Sequence, residues 1–227
     1  MSARRSLVIG AGSGVGQATA RALVAAGDHV VASGSERDAT DPAQVAALIE
    51  EADPDLIVIA AGTRPVMAPI QEQTWAGFSA PWNVDVRIAF EVGRAALDRP
   101  LRPGSIVLIM SSGAALRGSP LAGGYAGAKR MQMFLADAFQ GAADRRGLDI
   151  RFIAVVPRQL IAGTEIALAA AAAYAAELGQ TVEAYMERFP VPLDAEGVAR
   201  AIVSIADDRA RAPTTSIGVS GSGLEPI

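Results

Sequence analysis

Three polar residues near the middle of the chain have the types and spacing of an acid/base site. Tyr125 and Lys129 are four positions apart, so a helix would place them one turn apart on one face, and Ser112 precedes the tyrosine by thirteen residues. Free tyrosine has a pKa of about 10 and is a poor base at neutral pH. A lysine ammonium nearby favours the phenolate. The spacing therefore predicts Tyr125 as acid/base, Lys129 as the group that activates it and Ser112 as a hydroxyl that orients a substrate oxygen.

The tyrosine–lysine pair alone is weak support for catalysis, because the same spacing is common on surface helices. Ser112, however, follows an apolar run at 104–110 that predicts a buried strand, and open parallel sheets bind ligands at the carboxyl ends of their strands. The pair itself lies at the start of a helix predicted over 125–146. This coincidence favours a catalytic site over a surface pair.

A glycine-rich turn near the start of the chain predicts a dinucleotide site. Residues 7–9 predict a short buried strand, and residues 17–26 predict a helix that ends at Gly27. Glycines between them let the backbone approach a pyrophosphate closely, and a helix N-terminus offers free N–H groups and a positive dipole end. The turn residues expected to bind the dinucleotide are Gly10, Ser13, Gly14, Val15 and Gly16.

The segment after a second predicted strand, residues 28–33, should select the dinucleotide. Together with the acid/base residues, the glycine turn predicts an enzyme that moves a hydride on a nicotinamide cofactor. Ser33, Ser35 and Arg37 favour the 2′-phosphate of NADP(H), whereas Glu36 favours the free ribose of NAD(H). We expect NADP(H) rather than NAD(H).

The remaining elements alternate between strands and helices. Apolar runs predict further strands at 55–61, 104–110, 148–156 and 217–219. Helical patterns fall at 42–51, 75–98 with an interruption near Pro81, 125–146 and 194–207, with Asp41 and Asp194 as N-caps. This order predicts an α/β fold, a Rossmann-type, doubly wound, mainly parallel sheet with helices on both faces. We expect a single domain over residues 1–227, in which residues 158–193 form a helical lid over the substrate pocket.

Composition narrows the possible functions. The 227 residues are 51% apolar and 19% charged, which is typical of a large buried core. A net charge of −4 offers no basic surface for nucleic acid or anionic lipid. With no cysteine and His29 as the single histidine, the sequence has no thiolate or histidine metal site and no Ser-His-Asp triad. We therefore expect a cytoplasmic protein with no metal, no nucleic-acid partner and no membrane partner.

These motifs together resemble the short-chain dehydrogenase/reductase family, in its compact form, over residues 6–221. The resemblance rests on the following residues: Gly10-x-x-x-Gly14-x-Gly16, Asp38-Ala39-Thr40-Asp41, Ala60-Ala61-Gly62, Ser112, Tyr125-x-x-x-Lys129 and Pro157. It implies an NAD(P)(H)-dependent oxidoreductase acting on a small carbonyl compound or secondary alcohol. It also implies a homodimer or homotetramer, formed by the helices over 85–98 and 125–146.

The resemblance implies roles for individual residues. Ser112, Tyr125 and Lys129 would be catalytic, and Lys129 would also bind the nicotinamide ribose. On the adenosine side, the residues implied to line the cofactor are Asp38, Ala39, Ala60, Ala61 and Gly62, and Pro157 lies on the nicotinamide side.

The sequence departs from the family pattern near the expected site. The family's catalytic asparagine falls on Asp85, or on Asn83 if the register shifts by two residues. A carboxylate cannot donate the hydrogen bonds of an amide, but it can hold a water near Lys129. Arg158 stands where the family has a glycine, and it either hinders nicotinamide binding or reaches a phosphate or an acidic substrate.

Two other functions remain open at this stage. The altered positions, Asp85, Arg158 and Ala60-Ala61, are compatible with an NADP-binding regulatory protein that has kept the fold without turnover. An epimerase or dehydratase of the extended relatives shares the tyrosine–lysine spacing, but we expect 227 residues to be too few for their additional substrate domain.

Overall fold

A mainly parallel sheet of apolar strands forms the centre of the protein. The computed structural model describes residues 3–208 and 214–227. The strands are β1 Arg5–Ile9, β2 His29–Ser33, β3 Leu56–Ile59, β4 Ser105–Met110, β5 Ile150–Pro157, β6 Ile161–Ala162, β7 Leu193–Asp194, β8 Ser216–Ser220 and β9 Gly223–Pro226. Seven of them form one sheet in the order β2-β1-β3-β4-β5-β8-β9, in which only β9 is antiparallel to its neighbour, and β6 pairs with β7 separately.

Helices cover both faces of this sheet. They are α1 Gly14–Ala25, α2 Pro42–Ala52, α3 Trp75–Pro81, α4 Arg87–Asp98, α5 Ala114–Arg117, α6 Gly123–Arg145, α7 Glu165–Glu177, α8 Val182–Met186 and α9 Ala195–Asp207. A 3₁₀ turn spans Ile70–Glu72, and a π-helical turn, Trp82–Val86, joins α3 to α4. The Rossmann-type, doubly wound fold predicted from the sequence is confirmed.

Alternate residues of each strand serve the two faces. In β3, Ile57 and Ile59 pack with α2, α4 and α6, whereas Leu56 and Val58 pack with α1 and α9. All four side chains are fully buried. Parallel strands covered on both faces need such continuous apolar runs, which is why periodicity located them in the sequence.

A glycine sets the distance between the two long helices beside the site. A Cβ added at Gly93 of α4 would overlap the ring of Phe139 on α6. The helices approach closely at this point, and the Phe139 ring packs in turn, in a tilted orientation, against Phe152 of β5 with ring centroids 5.5 Å apart. This packing fixes how α6, which carries Tyr125 and Lys129, lies on the sheet.

Some predicted boundaries differ from the structure. Helix α1 begins at Gly14 rather than residue 17, because the last glycines of the turn already adopt the first helical turn. The helix predicted over 75–98 continues through Pro81, which cannot donate a backbone hydrogen bond, and the π-helical turn follows it directly. Strands β6, β7 and β9 and helix α5 were not predicted, since each is short and depends on contacts distant in sequence.

The predicted caps are confirmed. The Asp41 carboxylate accepts a hydrogen bond from the Ala43 N–H, and the Asp194 carboxylate accepts one from the Gly197 N–H. Each satisfies a backbone donor at a helix start that has no partner within the helix.

An ionic cluster ties three strands together at the amino end of the sheet. Asp55 accepts hydrogen bonds from the Arg5 N–H at 2.9 Å and from Nε and Nη2 of Arg102 at 2.9 and 2.6 Å. Partial burial alone would raise the pKa of Asp55. The backbone hydrogen bond, the Arg102 hydrogen bonds and the charges of both arginines outweigh burial and lower that pKa.

The lowered pKa predicts a pH-dependent contribution to stability. Because folding makes Asp55 more acidic, its ionised form stabilises the fold above the pKa of an unfolded carboxyl group, and this contribution is lost as the pH falls through the folded-state value. We expect Asp55→Asn to lower the free energy of unfolding by about 1–2 kcal/mol at neutral pH. The deficit should shrink below about pH 4. Urea unfolding of both proteins at several pH values measures this difference in the free energy of unfolding. Asp149→Asn, which removes an exposed carboxylate beside β5, is the control, and a deficit for Asp55→Asn that stays constant with pH contradicts the prediction.

Candidate active site

The glycine turn between β1 and α1 brings two strands and a helix into contact. Gly10 has a φ of 91°, in the left-handed region that glycine favours, and its N–H donates to the Ser33 carbonyl at 2.8 Å. A Cβ at Gly10 would overlap the backbone of Ala61, and one at Gly16 would overlap the Gly10 carbonyl. These two glycines are therefore required for the packing of the turn itself.

The other turn residues form an open surface. Gly12, Ser13 and Gly14 are exposed. A Cβ at Gly12 would contact nothing within 4 Å, and one at Gly14 would meet only the Thr164 methyl group at 3.8 Å. Ser13 makes no side-chain cap on α1, and the first turn of this helix has no acidic residue. Free N–H groups and space at a helix N-terminus fit a dinucleotide pyrophosphate, and Val15 packs behind them against the core.

The residues after β2 that were expected to select the cofactor are held by the protein itself. Ser33 is buried, Ser35 is exposed, and the Arg37 Nη2 pairs with Glu51 Oε2 at 2.7 Å. The Glu36 carboxylate folds back and accepts a hydrogen bond from the Gly34 N–H at 2.7 Å. Backbone hydrogen bonds from its own turn lower the pKa of Glu36, so this carboxylate lies, as an anion, at the end of β2.

The next predicted cofactor residues form a small turn before α2. The Asp38 carboxylate accepts hydrogen bonds from the Thr40 hydroxyl at 2.7 Å and the Thr40 N–H at 2.9 Å, which lower the pKa of Asp38. Ala39 is buried beside it. The Asp38 carboxylate is exposed, so it remains open to a ligand.

The end of β3 lies beside the glycine turn. Ala60 and Ala61 both donate their N–H groups to the Ile9 carbonyl, at 2.8 and 2.9 Å. Gly62 follows with an exposed backbone, where a Cβ would lie 2.8 Å from the Asp85 carboxylate. The absence of a side chain at Gly62 therefore makes room for Asp85.

The end of β4 positions helix α6. The Ser111 hydroxyl donates to the Lys129 carbonyl at 2.8 Å, and both groups are buried. The Ser112 hydroxyl is half-buried and accepts a bond of 3.3 Å from the Ala114 N–H, which leaves its own proton free to be donated. The predicted location of Ser112 at a strand end is confirmed.

Lys129 is buried between β4 and the π-helical turn. Its Nζ donates to the Met110 carbonyl at 3.0 Å and lies 3.1 Å from Oδ2 of Asp85. The same nitrogen is 5.3 Å from the centre of the Tyr125 ring. Tyr125 is half-buried on the first turns of α6. The structure thus brings Tyr125, Lys129 and Asp85 together, as the spacing predicted for the first two.

Asp85, rather than Asn83, faces the lysine. Asp85 is fully buried, whereas Asn83 is exposed. The Asp85 Oδ1 accepts hydrogen bonds from the Thr63 N–H at 2.7 Å and the Thr63 hydroxyl at 3.1 Å. Its backbone carbonyl accepts a bond of 3.1 Å from Nε2 of Gln132. The π-helical turn supplies this orientation, and the carboxylate contacts the ammonium directly.

Arg158 pairs with a carboxylate on the antiparallel strand β9. Its Nη1 pairs with Oε2 of Glu225 on β9 at 3.1 Å. Pro157 before it accepts a hydrogen bond from the Gly113 N–H at 2.7 Å. This pairing depends on β9, a strand that was not predicted, and the two expectations for Arg158 at the nicotinamide side stay predictions.

The segment that was predicted as a lid contacts both sides of the cleft. Thr164 caps α7 and approaches Gly14. Arg64, in the loop after β3, pairs with Glu165 of α7, and Ser119, in the loop before α6, hydrogen-bonds the Tyr174 hydroxyl. These contacts join α7 to the loops on either side of Tyr125.

The described part of the chain contains no cluster of side chains suited to a metal ion. Within residues 3–208 and 214–227, no helix is both long and apolar enough to span a bilayer.

Comparison with known proteins shows similarity of structure. No protein-family model and no curated protein matches the sequence. A short chain dehydrogenase from Mycobacterium avium is 22% identical with a TM-score of 0.70, and the match covers 98% of this chain and 83% of that one. Sorbitol-6-phosphate 2-dehydrogenase from Erwinia amylovora is 23% identical with a TM-score of 0.79 over 95% and 98% of the two chains. A 3-ketoacyl-(acyl-carrier-protein) reductase from Brucella melitensis, complexed with NADH, is 19% identical with a TM-score of 0.75 over 95% and 96%.

The chain has the short-chain dehydrogenase fold. Sequence reasoning identified the residues that the fold brings together at the carboxyl edge of the sheet, but it missed two partners. Thr63 holds the Asp85 carboxylate, and Glu225 holds Arg158. Nothing in the sequence singled out Thr63 or Glu225, because both contacts join segments that are distant in the chain or depend on the π-helical turn.

Two glycines of the turn should respond differently to substitution. Gly10→Ala places a side chain against the Ala61 backbone at a positive φ. We therefore expect the free energy of unfolding to fall by about 3 kcal/mol or more. Gly12→Ala adds a methyl group in open space, so we expect unchanged thermal stability but weaker dinucleotide binding, by about tenfold, if the pyrophosphate lies there. Thermal melts and cofactor fluorescence titrations test both variants, and equal effects of the two substitutions on stability would refute this division of roles.

Proposed function

We propose that the protein is an NAD(P)(H)-dependent oxidoreductase that interconverts a carbonyl compound and a secondary alcohol. The observation that carries this proposal is the position of the Lys129 ammonium, 5.3 Å from the centre of the Tyr125 ring, on a helix that Ser111, the neighbour of Ser112, hydrogen-bonds at the end of β4. This group lies at the carboxyl ends of strands adjacent to an open glycine turn, where doubly wound sheets bind their ligands. The structural neighbours support the same class of reaction.

The chain's residues fit a dinucleotide. Gly12, Ser13 and Gly14 would hold the pyrophosphate, Asp38 the adenine, and Lys129 the nicotinamide ribose. When bound, the nicotinamide would supply or accept a hydride at its ring carbon. The fit rests on the space at Gly12 and on the uncapped N-terminus of α1.

The acid/base chemistry follows from the side chains. Ser112 donates its proton to the substrate oxygen and holds it close to the Tyr125 hydroxyl. In the reduction direction, Tyr125 donates a proton to this oxygen as the hydride reaches the carbon, and in oxidation the phenolate removes the proton again. Lys129 stabilises the phenolate through its charge. Burial of Lys129 at 6% exposure strengthens this effect, because little water screens it.

The cofactor is proposed to be NADP(H) in preference to NAD(H). Ser35 and the guanidinium of Arg37 are suited to a 2′-phosphate, but Arg37 must leave Glu51 to reach it. Glu36 opposes this preference, since its carboxylate lies at the end of β2. The preference therefore depends on whether a phosphate competes successfully for Arg37.

Residues 158–193 are proposed to act as the lid of the substrate pocket within a single domain. Its inner cluster is apolar and aromatic, with Tyr174 and Tyr185 stacked at 5.8 Å, which favours a substrate with an apolar part. Helices α4 and α6 present Phe90 and Phe134, which are 44% and 59% exposed. These faces support a homodimer or homotetramer built on the long helices.

A regulatory protein that binds NADP(H) without turnover is the second candidate. The observation that favours it is the Asp85 carboxylate 3.1 Å from Lys129, because this negative charge weakens the field that favours the Tyr125 phenolate. Such a protein would bind the cofactor and leave every carbonyl compound unreduced.

Removal of the Tyr125 hydroxyl tests the proposed acid. We expect Tyr125→Phe to lower kcat by about 10²–10⁴-fold, since it removes the proton donor and leaves the fold intact. The dissociation constant for the cofactor, measured by fluorescence, should stay within about threefold of the parent value and serves as the control. A variant that reduces carbonyl compounds as fast as the parent would show that another group supplies the proton.

Substitutions after β2 test the cofactor preference. Arg37→Ala should weaken NADPH binding by about tenfold or more and leave NADH binding unchanged, because only the phosphate uses the guanidinium. Glu51→Gln, which releases Arg37 from its ion pair, should strengthen NADPH binding. The ratio of the two dissociation constants is the measurement, and an unchanged ratio in Arg37→Ala would count against NADP(H).

A further inference from the structure

The charge of Lys129 is compensated at short range by a buried carboxylate. The two side chains are 7% and 1% exposed, with Nζ and Oδ2 3.1 Å apart. Within the described residues, Asp85 is the sole ion-pair partner of this lysine. In a poorly solvated site the two charges act on their surroundings as a dipole, whose field falls off faster than that of an isolated ammonium.

The carboxylate is held in place by the residues that follow β3. Thr63 donates its N–H and its hydroxyl to Oδ1, and the Cβ-free Gly62 leaves space for Oδ2. Oδ2 accepts no conventional hydrogen bond, although it is buried. The Lys129 ammonium is its ion-pair partner at 3.1 Å, so this oxygen contacts the lysine directly.

The other charged groups on the surrounding segments are paired or lie exposed, where water screens them. Arg87, after the π-helical turn, and Arg130, on α6, are exposed, and Arg130 donates to the Ala115 carbonyl at 3.5 Å. On the loop after β3, Arg64 pairs with Glu165, and after β5, Arg158 pairs with Glu225. From β4 and α6, the groups that face Lys129 are the Met110 carbonyl and the Tyr125 ring, which carry no fixed charge. The electrostatic balance at Tyr125 therefore depends on Lys129 and Asp85.

We infer that Asp85 is a positioning residue that acts through Lys129 and sets the pH range in which Tyr125 exchanges its proton. The ammonium alone would favour the phenolate strongly, and the carboxylate offsets a part of this effect. The protein thereby keeps Tyr125 protonated to higher pH than a neutral residue at position 85 would allow. Such a site suits reduction, in which the tyrosine must begin as a proton donor. The catalytic consequence rests on the proposed function, whereas the effect on the tyrosine does not.

The ionisation of Tyr125 can be observed without turnover. The chain has three tyrosines, so the ultraviolet absorbance of phenolate in the apoprotein, minus that of the matching Tyr125→Phe protein, isolates one residue. In Asp85→Asn, we expect the Tyr125 phenolate to form at a pH about one unit or more below the pH at which it forms in the parent protein. The reason is that the charge of the Lys129 ammonium is then uncompensated.

The control variant removes one carboxylate charge, as Asp85→Asn does, but at a surface position. Asp98→Asn removes an exposed carboxylate at the end of α4, which pairs with Arg94, and it should leave the titration of Tyr125 unchanged. Thr63→Val removes one hydrogen bond to Asp85 and keeps the charge, so it should shift the titration much less than Asp85→Asn does. A titration of Asp85→Asn that coincides with that of the parent, or moves to higher pH, overturns the inference.

An ammonium left without its partner can also destabilise the fold. If circular dichroism shows that Asp85→Asn is unfolded, the double variant Asp85→Asn/Lys129→Met, which removes both charges, is titrated instead. We expect its Tyr125 phenolate to form at lower pH than in Lys129→Met alone, in which the carboxylate acts unopposed. Identical titrations of these two proteins would also overturn the inference.

Kinetics separate this inference from the proposed function. If the protein oxidises an alcohol, kcat/KM should rise with pH as the phenolate forms. In Asp85→Asn this rise should move to lower pH by the same amount as the phenolate titration. A rise that stays at the pH of the parent protein overturns the inference. Absence of turnover in every protein, with the titration still shifted, would refute the oxidoreductase and retain the role of Asp85.

Discussion

The buried ion pair between Lys129 and Asp85 is the contact on which the candidate site depends. A lysine enclosed by protein destabilises the fold unless a partner compensates its charge. Here the partner comes from the π-helical turn, and the same ammonium hydrogen-bonds the end of β4. The pair thus connects α6, β4 and the α3–α4 segment, and through Thr63 it reaches the loop after β3. Tyr125 occupies its position because the residue one turn later in α6 is fixed in this way.

Close backbone packing makes that arrangement possible. Gly10 and Gly16 allow β1, β3 and α1 to meet, Gly93 allows α4 and α6 to meet, and Gly124 brings the start of α6 against the backbone of Phe78. Gly12 differs from these four, since no protein atom lies where its side chain would be. Within the glycine turn, this difference separates the glycines that the packing requires from the glycine that leaves room for the proposed cofactor.

The sequence predicted the parts of the fold that depend on local patterns. Apolar runs located the central strands, Asp41 and Asp194 identified two helix starts, and the spacing of Tyr125 and Lys129 identified the acid/base pair. Features that arise from contacts between distant segments were not predictable. The antiparallel β9 has little apolar pattern, yet its Glu225 decides the direction of Arg158. The direct contact between Asp85 and Lys129 depends on a π-helical turn, for which the sequence has no clear signal beyond Pro81.

The central claim is that this site transfers a hydride to a carbonyl carbon with Tyr125 as the proton donor. The most direct measurement is the nicotinamide absorbance of NADPH and of NADH during incubation of the purified protein with a broad panel of ketones and aldehydes. The account predicts that at least one compound causes oxidation of the reduced cofactor and yields the corresponding alcohol. Saturable binding of the cofactor, with no oxidation by any member of the panel and no reverse reaction with the alcohols, would contradict it.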